Sequence, residues 1–275
     1  MTLSLAHLTA IDLTPPELIH AAADAGFDAV GLRLLRVTPD SPGYPLMEDA
    51  AMMRATRAAL RATGLHVSDI EFVKITPDLT PATLRPLIEA GATLGARHLI
   101  CAPYDPDLAR LTDRLAEIDA LARAQGLGAV LEFFPWTSVP DLRRAWDIVA
   151  QTQAGLLVDA LHFDRSGSSH DLLRSIPSAR LPFAHICDAT RAPAYDTATL
   201  LRDARTDRLI PGEGAIDLPA YLAALPEKIP LGVEVPLATG CPDIATLRRM
   251  RDAVVRLLAA VPARAVASVE NDNRS

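Results

Sequence analysis

The chain has 275 residues, 49% of them hydrophobic, and 27 basic against 34 acidic side chains for a formal charge of −7; one large core can form without a split into domains. No apolar run approaches the roughly 20 residues of a membrane span, and the N-terminus MTLSLAHLTAID has no basic stretch ahead of an apolar one, so no signal peptide is expected. Basic residues such as Arg54, Arg57, Arg61, Arg143 and Arg144 are dispersed, which disfavours a nucleic-acid partner, and the scattered Cys101, Cys187 and Cys241 read as reduced thiols in the cytoplasm rather than a disulfide frame or zinc clip.

In chain order, short apolar runs predict strands near residues 3–6, 29–32, 67–72, 96–101, 129–133, 155–159, 183–187 and 231–235. Between them, amphipathic stretches predict helices over 15–25, 45–63, 81–94, 106–125, 139–152, 170–176, 218–225 and 242–260. Three of these open with a cap residue and a proline (Thr14-Pro15, Thr80-Pro81, Asp105-Pro106), and glycines such as Gly26 and Gly64 follow helix ends. Eight strand–helix repeats predict a single-domain (β/α)8 barrel, a TIM barrel in the α/β class, over residues 1–261. The competing doubly wound sheet normally carries a glycine-rich turn after its first strand, and SLAHLTAID has none. The polar stretch 188–217 is read as an extended loop over the barrel mouth, and residues 262–275 as a flexible tail.

In four consecutive strands, 5 to 8, the run brings an acid or an imidazole to the strand's C-terminal end: Glu132, Asp159, His185 and Glu234. In a barrel those ends converge on one face. Three carboxylates there repel one another and resist ionisation unless a cation compensates them. Three oxygens and one imidazole suit one divalent ion, Mn²⁺ first, with Mg²⁺ or Co²⁺ as alternatives.

The segments GFDAVGLRL, LEFFPWTSV, LLVDALHFDRSG, HICDATR, RLIPGEGAID and GVEVP together resemble the xylose isomerase-like TIM barrel superfamily, the sugar phosphate isomerase/epimerase or AP endonuclease family 2 type. The resemblance covers residues 1–260 and is strongest from 129 to 236. It implies that Glu132, Asp159, His185 and Glu234 bind one metal ion and that Glu132 and Glu234 form the catalytic acid/base pair. It also implies that His162, three residues after Asp159, and Arg191, six after His185, contact substrate. One departure is visible: where the ketose epimerases place a further glutamate, six residues after the strand-5 ligand, this chain has Ser138, preceded by Phe133-Phe134-Pro135-Trp136.

Other candidates carry two readings each. Arg33 can grip a carboxylate or phosphate or sit solvated in its loop; Glu71 can bind substrate or pair with Arg33. Trp136 can stack on a substrate ring or pack under the rim. His7 can line the pocket or serve the core. Asp188 is expected to orient His185, and Glu213 to belong to turn chemistry. The expected activity is a metal-dependent isomerase or epimerase of a small polyhydroxy ketone, through proton abstraction beside a polarised carbonyl. The alternative is a lyase that dehydrates a cyclic keto-polyol or 3-dehydroshikimate-like acid. A homo-oligomer is compatible with the resemblance.

Overall fold

The structure, a computed structural model, describes residues 1–37, 41–192 and 194–260; the tail expected at 262–275 lies outside them. Eight parallel strands close into a barrel in sequence order: β1 Leu3–Leu5, β2 Ala29–Arg33, β3 His66–Ile75, β4 His98–Pro103, β5 Gly128–Glu132, β6 Gly155–Asp159, β7 Ala184–Ile186 and β8 Leu231–Val233. β8 pairs with β1, with Ser4 opposite Gly232. Each strand lies where an apolar run predicted one, because a strand buried against helices outside and side chains inside tolerates few polar residues.

The outer layer is α1 Pro15–Ala25, α2 Ala50–Thr63, α3 Arg85–Leu94, α4 Leu108–Arg123, α5 Leu142–Val149, α7 His170–Ser175, α9 Leu218–Ala224 and α10 Ile244–Ala260, with α6 Ala160–Arg165 directly after β6 and α8 Thr197–Thr206 after β7. Thr14 and Glu17 form a capping box at the start of α1, and Gly26 ends it at φ 86°, where a Cβ would be strained. Several expected starts move inward, and two of them show why. α2 begins after Asp49, whose carboxylate accepts the N–H groups of Ala51 and Met52. α4 begins after Asp107, while the buried Asp105 is bound by Arg110. In both, an acid that can receive free N–H groups outweighs the proline as a start signal.

The stretch 188–217 departs from expectation, since α8 occupies its middle. Asp196 caps that helix by accepting from Thr199 N–H at 2.8 Å, and only Leu200, Asp203 and Ala204 are buried. So thin an apolar stripe is hard to tell from a polar loop by periodicity.

The main core lies between the strands and the helices. Inside the barrel, Ile100, Val130, Leu157 and Phe183 form a separate apolar plug, flanked by Phe72. No helix among the described residues is long and apolar enough to cross a membrane.

Candidate metal centre and active site

The site begins with strand ends. Glu132 and Asp159 are the last residues of β5 and β6, His185 is paired with Asp159 in β7, and Glu234 follows β8. One ligating atom from each of the four lies within 4.8 Å of all the others, and all four residues are buried. Asp159 also caps α6: its Oδ1 accepts the N–H groups of Leu161 and His162 at 2.9 and 3.1 Å. That turn explains the three-residue spacing, because it folds His162 back over the mouth with Nε2 3.9 Å from Glu132 Oε1.

Electrostatics show what the cluster lacks. Arg208 is the cation inserted among the acids, with Nη1 2.7 Å from Asp159 Oδ2 and Nη2 2.9 Å from Glu234 Oε2. One guanidinium faces three buried carboxyls, so acidic groups outnumber the arginine at the centre. His185 is 1% exposed, and neither ring nitrogen has a hydrogen-bond partner among the described residues. Its Nδ1 faces the acids, 3.6 Å from Glu234 Oε2 and 4.0 Å from Asp159 Oδ2. A buried imidazole turned toward a cluster of carboxyls can serve as a metal ligand beside them.

The same imbalance shifts the acids apart. Burial, together with the charges of Glu234 and Asp159, holds the Glu132 carboxyl well above its ordinary range. Against burial, Arg208 and then His185 hold Glu234 well below it, and Arg208 depresses Asp159. Burial would neutralise His185, yet Glu234 and Glu132 raise it to about 10. His162 goes the other way, to about 4, because burial prevails over Asp159.

Above the cluster opens a cavity of about 300 Å³, onto which Glu132 and Glu234 both face along with His162, Arg33, Glu71 and Trp136. Asp159 and His185 lie below its lining. Arg33 and Glu71 form the ion pair weighed from sequence, Nη2 to Oε2 at 3.0 Å, with both side chains buried. Trp136 stacks on Phe134 with ring centres 5.0 Å apart and meets His162 edge-on at 5.3 Å. It therefore both packs at the rim and presents an aromatic edge to the cavity.

The structure places His7, Arg191, Asp188 and Ser138 away from the cavity lining. His7 is fully buried outside the cavity lining: its Nδ1 accepts the Arg33 backbone N–H at 2.9 Å while Nε2 meets the Leu13 carbonyl at 2.9 Å. It holds the end of β2 through these two backbone contacts. Arg191 is exposed and reaches the Ala215 carbonyl at 3.3 Å, away from the cavity lining; Arg208 supplies the cation at the centre. Asp188 does not orient His185, because its two oxygens accept N–H groups from Ala189, Gly212, Gly214 and Ile216 and so shape the turn after α8. Ser138 is exposed and bonds the Asp105 carbonyl, so nothing at that position faces the cavity. Glu213 pairs with Arg249 on the surface, as a turn residue can.

His7 gives a stability prediction. Burial lowers its pKa from 6.5 to about 4, so the unfolded chain takes up the proton first. Stability is then complete above pH 6.5 and falls as pH drops toward 4, by on the order of 3 kcal/mol for this group. Urea titrations from pH 7 to 4 should show that slope, and His7→Asn should flatten it; an unchanged slope would contradict the assignment.

Arg208 is the residue that sequence reasoning missed. It follows α8 in a polar stretch whose residue pattern does not single it out from the other arginines there.

Fold and site together define a (β/α)8 barrel with a buried acid–imidazole centre suited to one divalent ion. The chain belongs to the xylose isomerase-like TIM barrel family, whose sequence model matches residues 19–254. The inosose isomerase of Bacillus velezensis is 30% identical over 154 residues, 51% of this chain and 53% of the relative; the chain spans about half the length of the curated relatives it matches. Among solved structures, the IolI protein with a bound zinc atom superposes with a TM-score of 0.80 at 20% identity, covering 96% of this chain and 100% of that one. A D-allulose 3-epimerase from Methylomonas sp. gives 0.70 at 16% identity, covering 94% and 98%. At such identities the two structures establish likeness of fold.

Proposed function

We propose that the protein is a metal-dependent isomerase or epimerase of a small polyhydroxy ketone or a close derivative. The observation that carries this reading is that, of four clustered ligating residues, the two glutamates also face the cavity, from β5 and β8. Glu132, Asp159, His185 and Glu234 would hold one divalent ion, Mn²⁺ first among Mg²⁺, Co²⁺ and the zinc found in the IolI structure. Such an ion supplies Lewis acidity that polarises a substrate carbonyl and acidifies the neighbouring C–H.

The chain's own groups do the rest. One glutamate removes the proton and the other returns it from its own side, the pairing that inversion at one carbon needs. His162, neutral because it is buried, donates or accepts a hydrogen bond at a substrate hydroxyl. The Arg33–Glu71 pair closes the cavity at β2 and β3, and Phe134 and Trp136 exclude water from the wall above His162. The name of the inosose isomerase relative makes a cyclic keto-polyol the first substrate to try.

The test is incubation of Mn²⁺-loaded protein in D₂O with inososes and ketohexoses. Deuterium beside the carbonyl with the carbon skeleton intact supports the reading. Loss of one water marks a dehydratase, and no exchange with any substrate counts against both. Dialysis against a chelator should abolish turnover, and Mn²⁺ should restore it; activity that survives a verified metal-free state removes the metal from the reaction.

A further inference from the structure

The cavity above the metal centre has two unlike halves. On the side of β5 to β8 its lining includes Glu132, His162, Arg208 and Glu234, the ionisable groups of the centre. On the side of β1 to β4 it is lined by Leu8 and Ile11 after β1, Val37 and Pro42 after β2, Phe72 in β3 and Tyr104 after β4. The polar residues of this second half are Arg33, Ser41 and Glu71, besides the Tyr104 hydroxyl.

Those polar groups are turned on one another. Arg33 Nη2 meets Glu71 Oε2 at 3.0 Å with both side chains buried, and the guanidinium lies 5.5 Å from the centre of the Phe72 ring. Arg33 Nε and Glu71 Oε1 have no partner among the described residues, yet both atoms are shut off from solvent and so from a ligand in the cavity. The Tyr104 hydroxyl accepts the Trp136 indole N–H at 3.4 Å, and Ser41 is engaged as well. The floor is apolar too, since Phe72 packs on the plug of Ile100, Val130, Leu157 and Phe183. Phe72 meets Phe134 edge-on at 6.4 Å, and Phe134 stacks on Trp136 at 5.0 Å. Aromatic rings therefore run without a break from the barrel interior to the rim.

A polyol lying across both halves would strip water from its hydroxyls on this side and find no free partner for them. An unmade hydrogen bond costs more than a made one returns. Apolar surface in the same place gains by leaving water, and an aromatic ring gains further from edge and face contacts.

We infer that the substrate is not a bare polyol: its keto-polyol head lies at β5 to β8, and an apolar substituent, an aromatic ring first, fills the slot between Leu8 and Ile11 and the Phe72–Tyr104 wall. The nature of the head rests on the isomerase or epimerase reading above. The slot rests on its own lining and sets which polyols are accepted.

Inositol has the hydroxyls of such a head and no carbonyl to react, so it separates binding from turnover. Its affinity and those of its mono-O-benzyl ethers, one regioisomer at a time, are measured by calorimetry on Mn²⁺-loaded protein. At least one benzyl ether is expected to bind about 10- to 100-fold more tightly than inositol, the gain from burying a phenyl group. Ile11→Asn and Leu8→Asn, both at half-buried positions, are expected to shrink that gain and leave the affinity for inositol unchanged. If no benzyl ether outbinds inositol in the wild type, or the gain survives both substitutions intact, the inference is overturned. The same ethers of inososes are then assayed for deuterium exchange in D₂O. Exchange into bare inososes without any benzyl gain keeps the isomerase reading and overturns the slot. A benzyl gain without exchange into any ketone, bare or benzylated, supports the slot and overturns the isomerase reading.

Discussion

Glu132→Gln and Glu234→Gln should each lower turnover by about 10²- to 10⁴-fold with metal occupancy held at saturation, the range that loss of a positioned acid or base gives. Both carboxyls reach the cavity and the metal cluster at once, so the assay must report bound metal beside rate. The two substitutions should differ in stability. Glu132 is held toward its neutral form by burial and by its acidic neighbours, so an amide there is close to isosteric and costs the metal-free fold little. Glu234 receives Arg208 at 2.9 Å, so its amide gives up a charged partner and should lower the urea midpoint. Undiminished turnover in both variants would remove the acid/base assignment.

Arg208→Met should be the most damaging single change to the metal-free protein. It deletes the guanidinium that touches Asp159 at 2.7 Å and Glu234 at 2.9 Å and leaves two buried carboxylates without their cation. Breaking a buried pair in this way costs about 3–5 kcal/mol. Saturating Mn²⁺ should restore part of that loss, since the ion binds the folded form and faces the same carboxylates. Arg208→Lys should recover only part, because a single ammonium cannot serve two carboxylates through two separate nitrogens. Equilibrium urea unfolding with and without metal gives the comparison. A metal-free Arg208→Met within about 1 kcal/mol of wild type would mean that the acids are already neutral.

The barrel was legible because each strand is a short apolar run and each connecting helix repeats its apolar face at helical spacing, patterns local to about ten residues. The ring of Glu132, Asp159, His185 and Glu234 was legible for a related reason. A polar residue that ends a buried run can only be at the strand's end, and a barrel gathers such ends. The failures fall where local pattern carries no such constraint. Arg191 and Arg208 are both arginines in a polar stretch, and the turn held by Asp188 and the course of α8 decide that Arg208 enters the centre while Arg191 stays at the surface. Asp188 stands three residues from His185 in the sequence, and both it and His7 spend their hydrogen bonds on backbone.

The order of apolar and polar residues by itself determined the eightfold alternation, the single domain and the four residues at its open end, because burial constrains each element within its own length. Only the closed barrel decided which charges compensate those acids, and which arginine enters and which stays outside. Those outcomes depend on distances between strands and loops far apart in the chain, and the energy of a buried charge depends on what lies within a few ångströms of it.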